Sequence, residues 1–160
     1  MVAKTLGVKL IVIARLLRKR FDHSADNIGV TRAQWTAIGA VARAPGATQR
    51  VIASMLDVGE AAAGRLIDRL CEEGWMERRQ DPQDRRSNRV YLKPAANDIL
   101  QQLSGLAAEQ DARAFSGISQ EEITLFNNIL DRVAANLGAA EERALKNFCK
   151  EPQPAPVPDV

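Results

Sequence analysis

Six basic side chains fall between Arg78 and Lys93 (Arg78, Arg79, Arg85, Arg86, Arg89 and Lys93) against two acids, Asp81 and Asp84, so the stretch is about four charges positive. Guanidinium groups gathered on one projecting segment suit contacts with phosphates or with a nucleic-acid groove. Taken alone, the same charges also suit a solvated surface hairpin. Two runs that favour strands, Trp75 to Arg79 and Arg89 to Leu92, flank Asp81-Pro82 and Asp84-Arg85-Arg86. The spacing predicts a hairpin with a charged tip.

Such a hairpin needs elements to hold it, and the chain before it supplies three helical patterns. Thr31 with Gln34 has capping-box spacing, and Val30 with Trp35 has that of a hydrophobic staple; the helix they open stops at Pro45-Gly46. Thr48 is placed to cap a short helix from Gln49 to Leu56, and Asp57-Val58-Gly59 is a turn. A third helix, from about Glu60 to Glu73, turns Ala63, Leu66, Ile67 and Leu70 inward, and Gly74 is placed to end it. Helix, short turn, helix, hairpin is the order of a winged helix-turn-helix, in which the second helix of the pair enters the major groove.

Long helices flank this unit. Residues 4 to about 26 carry Leu6, Leu10, Ile13, Ala14, Leu17 and Phe21 at helical spacing, with Val8, Ile11, Val12 and Leu16 as a second apolar band. A helix apolar on two sides must be covered on two sides, so it is expected to touch a second subunit. After the hairpin, Pro94 suits a first helical turn; Ala96, Ile99, Leu100, Leu103, Leu106 and Ala107 mark the inward face of a helix reaching about Phe115. Ser119 with Glu122 is a further capping box, and Ile123, Phe126, Leu130, Val133 and Leu137 form a heptad-like seam that Gly138 loosens. Glu151 to Val160, with four prolines, reads as a disordered tail. The fold expected is therefore mainly α with a small β-hairpin wing. Residues 1–28 form an N-terminal dimerisation helix, 29–93 the winged helix-turn-helix, 94–150 C-terminal dimerisation helices, and 151–160 the tail.

A chain of 160 residues suits one compact unit. Net charge is only +2, but residues 1–42 hold seven bases and two acids while residues 94–160 hold five bases and ten acids. A basic front with an acidic back fits a nucleic-acid face remote from an assembly region. The longest apolar run, Leu10 to Ala14, is too short for a membrane span or a signal peptide, so the expected location is the cytoplasm, without membrane contact. Two cysteines, Cys71 and Cys149, and one histidine cannot supply four zinc ligands, and no thiolate-stabilising cluster surrounds either cysteine in sequence. No nucleophile-base arrangement, metal spacing or phosphate-cradling glycine loop is present, so no enzyme and no cofactor are expected.

In this order the chain resembles the MarR family of bacterial transcription regulators, and its N-terminal half is most similar to the SlyA-like branch. The resemblance spans roughly residues 5 to 148 and is carried most specifically by Asp81-Pro82-Gln83-Asp84-Arg85-Arg86 followed by Val90 and Leu92. Val30-Thr31 with Gln34-Trp35, Pro45-Gly46 with Thr48-Gln49, and Leu66-Ile67-Asp68-Arg69-Leu70 ending at Gly74 support it. It implies a homodimer whose first and last helices interleave, on a palindromic double-stranded DNA operator with half-sites about one helical turn apart. It further implies that Asp84 pairs with a wing arginine and that Arg85 or Arg86 reaches the minor groove. The DNA-contacting set expected is Thr48, Gln49, Arg50, Glu60, Ala61, Ala62, Gly64, Arg65, Arg69, Asp84, Arg85, Arg86 and Ser87.

Two departures stand out. Gly59-Glu60-Ala61-Ala62-Ala63-Gly64 offers few hydrogen-bonding side chains, which leaves alanine contacts with thymine methyls, Glu60 toward cytosine, and Arg65. Lys93-Pro94 also stands where the family has Thr-Glu, removing a helix cap. Many relatives are released from DNA by small aromatic acids or phenols. The resemblance places such an effector at Arg15, Arg18, Trp35 and Arg65, with Gly39 nearby, and an arginine beside an aromatic ring suits a carboxylate. His23 reads as a surface or interface residue. A winged-helix module for protein interaction, without effector control, is the alternative function.

Overall fold

Thr31 decides where the second helix begins. The Gln34 backbone N–H donates to the Thr31 hydroxyl at 3.4 Å, and the Thr31 N–H donates to the Gln34 side chain at 2.9 Å, a reciprocal cap satisfying two helix-end donors. Ser119 starts a later helix with the same reciprocal cap, and Thr48 starts another with its hydroxyl alone, which accepts from the Val51 N–H. A computed structural model describes residues 3–84 and 87–156. Arg85 and Arg86, assigned to DNA from the sequence, lie outside the described residues.

The described chain runs α1 (Ala3–Asn27), α2 (Arg32–Arg43), β1 (Ala47–Thr48), α3 (Gln49–Leu56), α4 (Glu60–Glu72), β2 (Met76–Gln80), β3 (Asn88–Leu92), a 3-10 turn (Pro94–Ala96), α5 (Asn97–Ala114), α6 (Gln120–Leu137) and α7 (Ala139–Phe148). It is mainly helical with a small antiparallel sheet, a winged helix. The sheet has the order β1-β3-β2, with Met76 opposite Leu92 and Arg79 opposite Arg89. Strand β1, which sequence periodicity does not reveal, pairs Ala47 with Val90. Gly46 precedes it at φ +77, and a Cβ there would stand 2.7 Å from the Tyr91 hydroxyl, so glycine is required twice over.

Ala37, Ile38 and Val41 of α2 meet Ile52 of α3, Ile67 and Leu70 of α4, and Met76, Val90 and Leu92 of the sheet in one buried cluster. Burying each of the larger aliphatic side chains stabilises the fold by about 1.5–3 kcal/mol. This core sets α3, α4 and the wing as one body. Phe21 of α1 packs edge-on against Trp35 of α2, with ring centroids 4.7 Å apart. Elsewhere α1 leaves Leu6, Val8, Ile11, Ile13 and Leu16 exposed, and α6 leaves Leu125, Phe126, Ile129, Val133 and Leu137 exposed.

Three local outcomes differ from the sequence reading. Pro94 opens a 3-10 turn without a side-chain cap, and α5 follows from it, so the missing Thr-Glu shifts the helix start and does not abolish it. Gly138, at φ +144, separates α6 from α7 outright, where the sequence implied only a loosened seam. The tail is corrected for residues 151–156. The Gln153 N–H donates to the Ala42 carbonyl at 2.7 Å, and the Asn97 side chain holds the Ala155 backbone. Low hydrophobicity predicted disorder, but these main-chain partners and the stiffness of three prolines order the segment.

Candidate nucleic-acid interface and ligand cavity

Arg78, on β2, ties the hairpin to both helices of the helix-turn-helix. One Nη donates to the Gln49 side-chain oxygen at 3.0 Å and to the Gly64 carbonyl at 3.4 Å, and the other pairs with Asp68 of α4. The Gln49 side-chain amide in turn donates to the Glu60 carbonyl at 3.0 Å. Gly64 is buried beneath it, where a Cβ would come within 2.9 Å of Gln49 Nε2. Thr48, Gln49 and Gly64, assigned to DNA from the sequence, are therefore engaged inside the protein: Thr48 caps α3 and Gln49 packs on Gly64.

Replacing Arg78 by Ala would leave Gln49 Oε1, the Gly64 carbonyl and Asp68 without this partner. The expected result is a loss of about 1–3 kcal/mol in a denaturant melt and weaker DNA binding, although Arg78 faces the protein. Unchanged stability and unchanged gel shifts would remove Arg78 from this role.

The outer face of α4 presents Ala61, Ala62, Arg65 and Arg69 to solvent. Glu60 and Arg50 sit across the α3–α4 corner, 3.7 Å apart and both largely exposed, an ion pair worth at most about 1 kcal/mol. Gln34, which caps α2, also donates its side-chain N–H to Glu73 at 2.9 Å, joining the start of α2 to the end of α4.

The wing is stiffened by Asp81. Its carboxylate accepts from the Gln83 N–H at 3.0 Å and from Arg89 Nε at 2.8 Å, and Arg89 reaches on to the Gly46 carbonyl at 3.1 Å. The resemblance gives Asp84 a stiffening role through a wing arginine, and Asp81 is a further wing carboxylate that sequence reasoning did not single out. Asp81 is identified only once the strands pair, because Arg89 lies across the hairpin from it. The Gln83 amide, then the Arg89 charge, hold the Asp81 carboxyl below the usual carboxylate range. Its stabilisation is therefore present at neutral pH and is lost as pH falls through that depressed value. Ser87 N–H donates to the Asp84 carbonyl at 2.9 Å, closing the loop. Arg79 lies 4.6 Å over the Tyr91 ring and pairs with Glu77. Arg78, Arg79 and Arg89 thus brace the wing.

A second feature is a cavity of about 390 Å³ between α1, α2 and α5, lined by Arg18, Phe21, Trp35, Gly39, Arg43 and Leu103 among others. Arg18, Trp35 and Gly39 come together there as the sequence suggested. Arg15 and Arg65 do not line it. Arg15 sits on the exposed stretch of α1 preceding Leu17, and Arg65 on the outer face of α4, with Ile67 turned inward in its place. Sequence reasoning missed Arg43, whose Nη1 donates to the Gly39 carbonyl at 3.0 Å. Its Nε is buried without a hydrogen-bond partner, and the guanidinium as a whole gives the apolar cavity a positive charge that suits an anion. The available signal was the i, i+4 spacing: a Cβ at Gly39 would stand 2.8 Å from Arg43 Nη1.

The Trp35 indole N–H donates to Asp22 Oδ1 at 3.1 Å, and Arg32 beside Asp22 holds that carboxyl below its usual range. Burial pushes the Cys71 thiol up, which disfavours a thiolate at neutral pH, and Cys149 is exposed. Among the described residues no three His, Cys, Asp or Glu side chains gather as a metal site needs, and no helix is long and apolar enough to cross a membrane.

The sequence model of the MarR family matches residues 28–87, from the end of α1 into the wing. Among solved structures the chain is similar to the transcriptional regulator PA3341, at 29% identity over 82% of this chain and 96% of that one, with a TM-score of 0.75. The transcriptional regulator SlyA is 25% identical over 86% of this chain and 97% of its own, with a TM-score of 0.72. The apo form of wild-type MarR from E. coli, at 22% identity, shares the fold over 80% of this chain and 95% of its own, with a TM-score of 0.69.

Proposed function

We propose that this winged-helix chain, matched by the MarR family model over residues 28–87 and similar to PA3341 and SlyA, is a MarR-family homodimeric transcriptional repressor released from a palindromic operator by a small aromatic acid or phenol. The observation that carries the DNA-binding part is the clasp of Arg78 on Gln49, Gly64 and Asp68. It presents α4 and a basic hairpin together as one surface. On that surface α4 offers Ala61 and Ala62 to thymine methyls and Arg65 and Arg69 to phosphates or guanine, Arg50 adds charge from α3, and Arg85 and Arg86 belong to the wing by sequence.

Selection of bound genomic fragments by the purified protein tests this directly. A selected operator should outcompete random duplex by at least about 10³-fold at physiological salt. Equal competition would instead favour a protein-interaction module, a reading that the exposed, apolar Ala61-Ala62 face also suits. For the effector, the supporting features are Trp35 and the unpartnered Nε of Arg43 in one cavity. Salicylate, an aromatic carboxylate, should stabilise the protein in a thermal-shift assay and displace operator DNA, and Arg43→Gln should lose both responses. If no aromatic acid or phenol does both, the effector reading fails while the DNA-binding reading stands.

A further inference from the structure

Residues 151–156 cross from α2 to α5, the two helices that enclose the cavity together with α1. At one end the Gln153 N–H donates to the Ala42 carbonyl at 2.7 Å. Ala42 lies in the last turn of α2, where carbonyls have no helical donor, so the tail supplies what the helix lacks. At the other end Asn97, the first residue of α5, pairs with the Ala155 backbone in both directions. Its Oδ1 accepts from the Ala155 N–H at 2.8 Å, and its Nδ2 donates to the Ala155 carbonyl at 3.1 Å. A side-chain amide here does what a neighbouring strand would do. Ala155 is only 5% exposed, and Pro152, between the two attachments and α7, forms part of the cavity wall.

We propose that Glu151–Pro156 is a strap that closes the α1–α2–α5 cavity over its ligand, with Asn97 as the clasp and Pro152 as a ligand-facing wall. The physical balance makes it a strap that opens. Three hydrogen bonds and two small apolar side chains are set against the backbone entropy of ordering six residues, terms of similar size. Pro152, Pro154 and Pro156 tip that balance, because their fixed φ leaves the free segment little to lose and keeps it extended. A ligand that touches Pro152 binds the closed form better than the open one, so it favours closure, and closure slows its escape. The chemistry of the ligand rests on the effector reading above; the strap itself rests on the bonds to Ala42 and Asn97.

Two measurements on the full-length protein test this. First, without ligand, the Gln153 and Ala155 amides should exchange hydrogen at least about tenfold more slowly than in a free peptide of the same sequence. Exchange at the peptide rate would overturn the strap. Second, salicylate binding is measured for the parent, for Ala155→Asp, which puts a carboxylate where the strap joins the edge of the buried cluster and is checked for an unchanged circular dichroism spectrum, and for Asn97→Ala, which removes the clasp. Both variants should bind salicylate about tenfold more weakly, with the change mainly in the dissociation rate. Unchanged or tighter binding in Ala155→Asp would overturn the closing role. If the parent itself fails to bind salicylate or other aromatic acids, the effector reading has failed and the amide protection alone decides the strap.

Discussion

Ile11→Asp should leave each subunit folded and turn the proposed dimer into a monomer. Ile11 is 70% exposed in the single chain, and it shares α1 with exposed Leu6, Val8, Ile13 and Leu16. Single exposed aliphatics are ordinary, but two exposed apolar bands on one helix mark a surface that another chain covers. Leu137, 71% exposed at the end of α6, and Leu125 are exposed apolar side chains on a second element. In the isolated subunit a carboxylate at Ile11 meets water and changes stability by no more than about 0.5 kcal/mol. In a dimer interface the same carboxylate loses its hydration without a partner, which costs several kcal/mol per subunit. Sedimentation should then report a monomer with an unchanged circular dichroism spectrum. Operator affinity should fall by about 10²–10⁴-fold, because two linked half-site contacts become independent ones. A variant that stays dimeric at micromolar concentration would move the interface away from α1.

The second large effect is expected from the double variant Arg85→Ala, Arg86→Ala. Both residues lie outside the described structure, so the case rests on their neighbours and on charge. Among the other wing arginines, Arg89 binds Asp81 and Gly46, Arg78 binds Gln49, Gly64 and Asp68, and Arg79 pairs with Glu77 and covers Tyr91. With those three side chains bracing the hairpin, Arg85 and Arg86 are the arginines of the proposed wing contact with DNA. Removing both should weaken operator binding by about 10–100-fold and flatten the dependence of log K on log salt by about 2. The hairpin itself should persist, since Asp81 and Arg89 are untouched. Equal affinity of parent and variant from low to high salt would disprove a wing contact.

How far the sequence carried depended on the span of each interaction. The caps at Thr31, Thr48 and Ser119 join residues three apart, so spacing alone exposed them. The buried stripe of α4 follows directly from its 3.6-residue period. Contacts between distant segments were hidden, because periodicity says which face is apolar and not what it meets. Strand β1 pairs with a strand more than forty residues later, and Asn97 holds a residue fifty-eight positions away. The pairing of Asp81 was hidden until the hairpin register put Arg89 across from it. Gly64 stood in the expected DNA-contacting set, and its contact with Gln49, on the preceding helix, was invisible to spacing.

The bond from Gln34 to Glu73 gives α4 a mechanical character. It joins α2, which carries Trp35, Gly39 and Arg43 of the cavity, to the C-terminal end of a helix whose opposite end presents Glu60, Ala61 and Ala62. At 1.5 Å per residue that helix is roughly 20 Å long. A tilt of about 5° at its tethered end therefore sweeps the far end through roughly 1.7 Å, about half the length of a hydrogen bond and enough to lift a methyl group off a base. Because α2 and α4 share one buried core, any tilt of that body at the cavity side would be larger at the Glu60 end of α4, where the helix would meet DNA, than at Gln34.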